Sequence, residues 1–135
     1  MKELTNREMI EAAKTVLRPR ELFLGNSAGD VACALLSSGG NLYLGVCIDI
    51  SSGIGFCAEH SAIAAMITAG ESRIAKIVAV WGEDTVLAPC GRCREFMYEI
   101  DEANLHSTEV ILGEDSVTKL SELLPHPYHE VWNKS

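Results

Sequence analysis

Val31-Ala32-Cys33-Ala34-Leu35-Leu36-Ser37-Ser38-Gly39-Gly40-Asn41-Leu42-Tyr43-Leu44-Gly45-Val46-Cys47-Ile48-Asp49-Ile50 is the stretch that decides the fold. Residues 31–36 form a short apolar run, and the Ser-Ser-Gly-Gly that follows turns the chain. Beyond the turn, Leu42, Leu44, Val46, Ile48 and Ile50 recur at every second position. A period of two puts these side chains on one face of a strand, whereas a helix needs a period near 3.6. The stretch predicts a β-hairpin.

Downstream, residues 51–55 read as a flexible loop, and residues 57–69 are Ala-rich and helical, with Gly70 placed to end the helix. Apart from Glu59, His60, Ser61 and Thr68 this helix is apolar on every side. It is expected to be buried all round, one face on the sheet and another on a partner subunit. Residues 74–81 read as a buried strand, parallel to its neighbour after the helical crossover. A loop over 82–89, a helix over 91–100, a strand over 109–112 and a helix over 118–124 complete the series, with Pro125 and Pro127 stopping the last helix. Upstream, Thr5-Asn6-Arg7-Glu8 has the form of a capping box. It opens a helix that carries Met9, Ala13, Val16 and Leu17 on one side and ends before Pro19. The order α-β-β-α-β-α-β-α implies an α/β fold, a three-layer α-β-α sandwich. The tail from Tyr128 to Trp132 is aromatic and is expected to pack over a pocket or an interface.

At 135 residues the chain suits one domain over residues 1–135. Nearly half of it is hydrophobic and its mean hydropathy is positive, which for so small a chain points to surface buried by self-association. No run reaches the ~18 apolar residues of a membrane span, and the charged start, residues 1–8, does not read as a secretory signal. A formal charge of −8 with no basic run speaks against a nucleic-acid partner and for a small-molecule substrate. Five cysteines in such a chain read as metal ligands or buried thiols of a cytoplasmic protein, not as a disulfide framework.

Those cysteines carry the chemistry. Cys57-Ala58-Glu59 and Pro89-Cys90-Gly91-Arg92-Cys93 each stand where a loop enters a helix. Unpaired N–H groups and the helix dipole favour a thiolate there. Cys90 and Cys93, three apart, reach one point from a single helical turn, and Cys57 converges from the other helix. Three thiolates with one open position are the arrangement of a catalytic zinc site, since structural zinc usually closes with four protein ligands. Glu59 is too close to Cys57 to be an easy fourth ligand, but at the helix end it can take and return protons as base and then acid. Three thiolates on Zn2+ leave about −1 to be offset. Arg92, within the Cys-x-x-Cys, is the stronger candidate, because the side chain of Arg94 is expected to point to solvent. His60 can donate a hydrogen bond to a thiolate. Ordinary buried cysteines, a Glu that only complements the dipole, a structural zinc without activity and a Cys90-x-x-Cys93 redox pair are the competing readings. The redox pair leaves Cys57-Ala58-Glu59 unexplained.

A ligand-x-Glu followed by Pro-Cys-x-x-Cys is the signature of zinc deaminases. Together with residues 31–36, the hairpin ending in Gly45-Val46 and Glu122-Leu123-Leu124-Pro125, it gives a chain that resembles the small cytidine deaminase family. Pro-Cys-Gly-Arg-Cys-Arg and the Glu-Leu-Leu-Pro…Tyr…Val-Trp ending look most like blasticidin S deaminases. The resemblance implies a mixed five-stranded sheet between helices, a homotetramer with shared active sites, and hydrolytic loss of the 4-amino group of a cytosine nucleoside or analogue. It implies Cys57, Cys90 and Cys93 as zinc ligands, Glu59 as proton shuttle, and the backbone of Ala58 and Pro89 as groups that orient the ring. Another amino-heterocycle remains open as substrate. The chain departs from the family at Cys47 and Asp49, where an Asn-x-Glu would hold the ribose. It also lacks the family's aromatic before Val31, where Gly29-Asp30 stand, and the Arg at position 60. Cys47 and Asp49 are the substrate-binding candidates, and these departures point away from plain cytidine.

Overall fold

The computed structural model describes residues 3–133, so Met1 and Lys2, at the charged start of the chain, lie outside the described residues. Helix α1 (Asn6–Lys14) opens with the expected capping box, in which Thr5 accepts from the Glu8 N–H and Glu8 accepts from the Thr5 N–H. It is shorter than its apolar stripe suggests. After Lys14 the chain tightens, and Val16 and Leu17 donate to carbonyls three residues back.

Among the described residues, seven strands form one sheet: β1 (Arg20–Glu21), β2 (Ser27–Ser37), β3 (Leu42–Asp49), β4 (Ile74–Trp81), β5 (Thr85–Leu87), β6 (Glu109–Gly113) and β7 (Ser116–Lys119). The expected five become seven, because β1 and β5 are too short to show a period. β7 takes residues from the expected last helix. The hairpin of β2 and β3 forms in the expected register, with Cys33 opposite Gly45. β4 meets the expectation for 74–81 in part: it is a largely buried strand, parallel to its neighbour β6 but antiparallel to β2. The crossover carries the chain past β3's neighbour, so β2 lies between the two parallel strands that the helix connects.

Two cores flank the sheet. Helix α2 (Ala58–Thr68) and helix α3 (Gly91–Ile100) pack on one face against Cys33, Leu35, Cys47, Ile77 and Val110. On the other face α1 places Met9 and Ala13 over Ala32, Ala34, Val78 and Val80. Gly45 lets α2 approach, since a Cβ there would collide with the backbone of Ser61 and Ala62. Two one-turn helices, α4 (Asn104–Ser107) and α5 (Leu120–Leu123), close the α3 side. One face of α2 packs on the sheet as expected, and in the single chain Ala64, Ala65 and Ile67 are exposed. The tail folds back on α3, where the Tyr128 N–H donates to Glu95 and His129 Nδ1 stands 2.6 Å from the Glu99 carboxylate. No helix among the described residues is long and apolar enough to cross a membrane.

Candidate active site

The two cysteine motifs become two helix starts. Cys57 is the N-cap of α2 and Cys90 the N-cap of α3, both extended, and neither side chain caps its own helix. The thiols are therefore free to meet each other. Cys57 Sγ lies 3.4 Å from Cys90 Sγ, and Cys90 Sγ lies 3.6 Å from Cys93 Sγ. All three sulfurs fall within 4.8 Å of one another, and no other His, Cys or carboxylate joins the group among the described residues. Sulfur ligands about 2.3 Å from a tetrahedral zinc stand about 3.8 Å apart, so this soft donor set fits Zn2+ with a position to spare.

The thiols differ in acidity. Burial pushes Cys93 far up, reinforced by the charges of Glu59 and Cys57, and burial also raises Cys57. At Cys90 burial acts upward too, but the Cys93 and Arg92 N–H groups and the neighbouring thiols outweigh it, and the thiol is lowered. The expected help from the helix ends thus prevails only at the exposed member of the set.

Glu59, in the first turn of α2, is 5% exposed, and burial raises its carboxyl above the ordinary range, opposed by its own backbone N–H and by Cys93. It lines a small gap with Pro89, Ile77, Ala79 and Leu87. A carboxyl in that state can hold a proton as well as release one, as proton transfer requires. His60 Nδ1 is 3.4 Å from Cys93 Sγ, and the ring stacks on Phe96 at 4.3 Å between centroids. Burial, then the charge of Arg92, lowers the His60 pKa, so the ring is a neutral donor to the sulfur when the proton is on Nδ1.

Arg94 does not point to solvent as expected. Arg92 is exposed and reaches the Gly55 carbonyl at 3.5 Å. Arg94 is half-buried, donating from Nε to the Pro89 carbonyl at 2.7 Å and from Nη1 to the Leu123 carbonyl at 3.2 Å. An arginine on the turn after an N-cap points outward, whereas one position past the inward-facing Cys93 can fold back over the helix entry.

Cys47 and Asp49 come together with a residue that sequence reasoning left out. The register of β2 against β3 shifts between Ala28 and Ala32, and this bulge brings Asp30 within 4.8 Å of the Cys47 and Asp49 ligand atoms. Cys47 Sγ accepts from the Val31 N–H at 3.3 Å and lies 3.6 Å from Asp49 Oδ2. Burial raises the Cys47 thiol, which favours the protonated donor. Gly29 accounts for the missing aromatic: its φ is +85°, and a Cβ would strike the Arg18 carbonyl. The only sequence signal for Asp30 was its place beside that glycine. Two hollows of about 400 and 480 Å3 lie beside α1 and contain none of the three thiols.

Residues 5–107 match the family model described as the cytidine and deoxycytidylate deaminase zinc-binding region. A cytidine deaminase of Mycobacterium tuberculosis is 31% identical over 101 residues, 73% of this chain and 71% of the relative. That of Halalkalibacterium halodurans is 32% identical over 119 residues, covering 83% and 87% of the two chains. The crystal structure of cytidine deaminase from Burkholderia pseudomallei superposes with a TM-score of 0.75 at 30% identity, over 93% of this chain and 100% of that one.

Proposed function

The chain belongs to the cytidine and deoxycytidylate deaminase family, and from that premise we propose that it is a hydrolytic deaminase of a free cytosine nucleoside or analogue. Water replaces the 4-amino group by a carbonyl, and ammonia leaves. Cytidine, deoxycytidine and blasticidin S-like compounds are the substrates proposed. The observation that carries this reading is Glu59, a buried carboxyl of raised pKa in the first turn of the helix that Cys57 caps.

Cys57, Cys90 and Cys93 would hold zinc, which when bound makes water acidic enough to react near neutral pH. Glu59 takes a proton from the attacking water and passes protons to the ring nitrogen and the leaving amine. The backbone at Ala58 and Pro89 orients the ring. His60 donates to the Cys93 sulfur, and Arg92 adds positive charge near the thiolates. Cys47 and Asp49 meet the sugar or the group that replaces it. A thiol is a weak hydrogen-bonding group, and losing one sugar contact costs on the order of 1 to 3 kcal/mol. That supports an analogue over plain cytidine. The net charge of −8 supports a free small molecule over nucleic acid. The exposed Ala64, Ala65 and Ile67 of α2 support a homotetramer, and the cytoplasm is the compartment proposed.

The test is a screen of the purified protein against cytidine, deoxycytidine, cytosine and blasticidin S, following ultraviolet absorbance and ammonia. Glu59→Gln is expected to keep its zinc and lose turnover. A fully active Glu59→Gln protein rules out the proton-shuttle role.

A further inference from the structure

Two backbone carbonyls, one at the entry of α3 and one at the end of α5, share one side-chain donor. Pro89 is buried and precedes the N-cap Cys90, so its carbonyl stands at the entry of α3. Leu123 ends α5, and the residue four places on, Pro127, has no N–H with which to continue the ladder. Among the described residues no backbone N–H is bonded to either carbonyl. A carbonyl taken out of water without a donor is costly, and native structures nearly always supply one; Pro89 is buried and Leu123 half-buried. Here Arg94 supplies both, through Nε to Pro89 and Nη1 to Leu123.

We propose that Arg94 is a positioning residue for the thiol centre, its planar guanidinium tying the turn that presents Cys90 to the end of α5. The side chain starts one residue after Cys93 and returns to the residue before Cys90. It therefore braces the segment that bears two of the three thiols. The fork shape of the guanidinium matters, since two donors at a fixed angle set the separation of two carbonyls in a way that one ammonium does not. The Glu-Leu-Leu-Pro segment thereby has a physical role beyond resemblance, ending a helix where Arg94 can use the last carbonyl. Links from Glu95 and Glu99 to Tyr128 and His129 continue the same seam along α3. The inference rests on the zinc reading of the thiols, and its test needs no substrate.

Zinc affinity would be measured by competition with a chromophoric chelator, and the ligand geometry read from the absorption of the Co2+-loaded protein. Arg94→Ala is expected to loosen zinc by about 10- to 100-fold, the usual effect of removing a group that orients metal ligands. Its cobalt–thiolate bands are expected to shift, and Arg94→Lys to recover only part of both. Should the alanine chain not fold, Arg94→Lys is compared with wild type by the same two readings. A folded variant with wild-type zinc affinity and an unchanged cobalt spectrum overturns the proposal, even if it melts earlier. Failure of wild type to deaminate any substrate strikes the proposed reaction and leaves this test standing.

Discussion

Asn104 is fully buried, and its amide is fully engaged. Oδ1 accepts from the Ile74 N–H at 2.8 Å, while Nδ2 donates to the Ser72 and Met97 carbonyls at 3.1 and 2.9 Å. One side chain thus joins the end of α3 to the start of β4. Asn104→Ala would strand three backbone groups, and at about 1–3 kcal/mol for a buried unmade bond the expected loss is about 3 kcal/mol. Urea unfolding measures it, and a loss below about 1 kcal/mol would show that water replaces the amide. Nothing in the sequence marks this residue, because it stands in the polar run Asp-Glu-Ala-Asn that reads as a surface turn. The thiols and Glu59 were legible for the opposite reason: their spacing is itself the geometry. Arg94 was expected at the surface because its contact with Leu123 exists only once folding brings the two together.

At the scale of elements, the turn after α2 is pinned to the hairpin by one carboxylate. Glu71 accepts from the Tyr43 hydroxyl at 2.6 Å and from Asn41 Nδ2 at 3.0 Å. The Tyr43 bond first, then Asn41 and Ser37, hold the Glu71 carboxyl below its ordinary pKa. A pKa lowered in the folded chain means a contribution present above the unfolded value, near 4.3, and lost as pH falls through the lower folded one. Thermal unfolding from pH 6 to pH 2 is expected to show Glu71→Gln less sensitive to acid than wild type. Equal slopes would remove the contribution. The hairpin itself was legible because strict alternation leaves one reading. Residues 116–119 were not. Four residues are too few to separate a strand from a helix start, and pairing with β6 decides.

For the whole molecule, the exposed α2 face is the feature that a single chain leaves unexplained. Ile67 is 44% exposed, beside the exposed Ala64, on a helix whose polar side chains are confined to Glu59, His60 and Ser61 at its start and Thr68 at its end. The proposed tetramer buries it, so Ile67→Glu is expected to lower the assembled mass seen by light scattering. An unchanged mass would place the interface elsewhere. Phe23 and Leu24, 77% and 83% exposed, are further apolar surface outside either core.

The sequence by itself determined the hairpin, the two helices, the three thiols and the carboxylate, because each is a local pattern whose spacing has one physical meaning. Tertiary structure alone decided that β4 runs antiparallel to β2, that Asp30 joins Cys47 and Asp49, and that Arg94 instead of Arg92 is drawn inward. Each of these depends on which distant backbone stands opposite, a matter of strand order, register and unpaired carbonyls that no local period encodes.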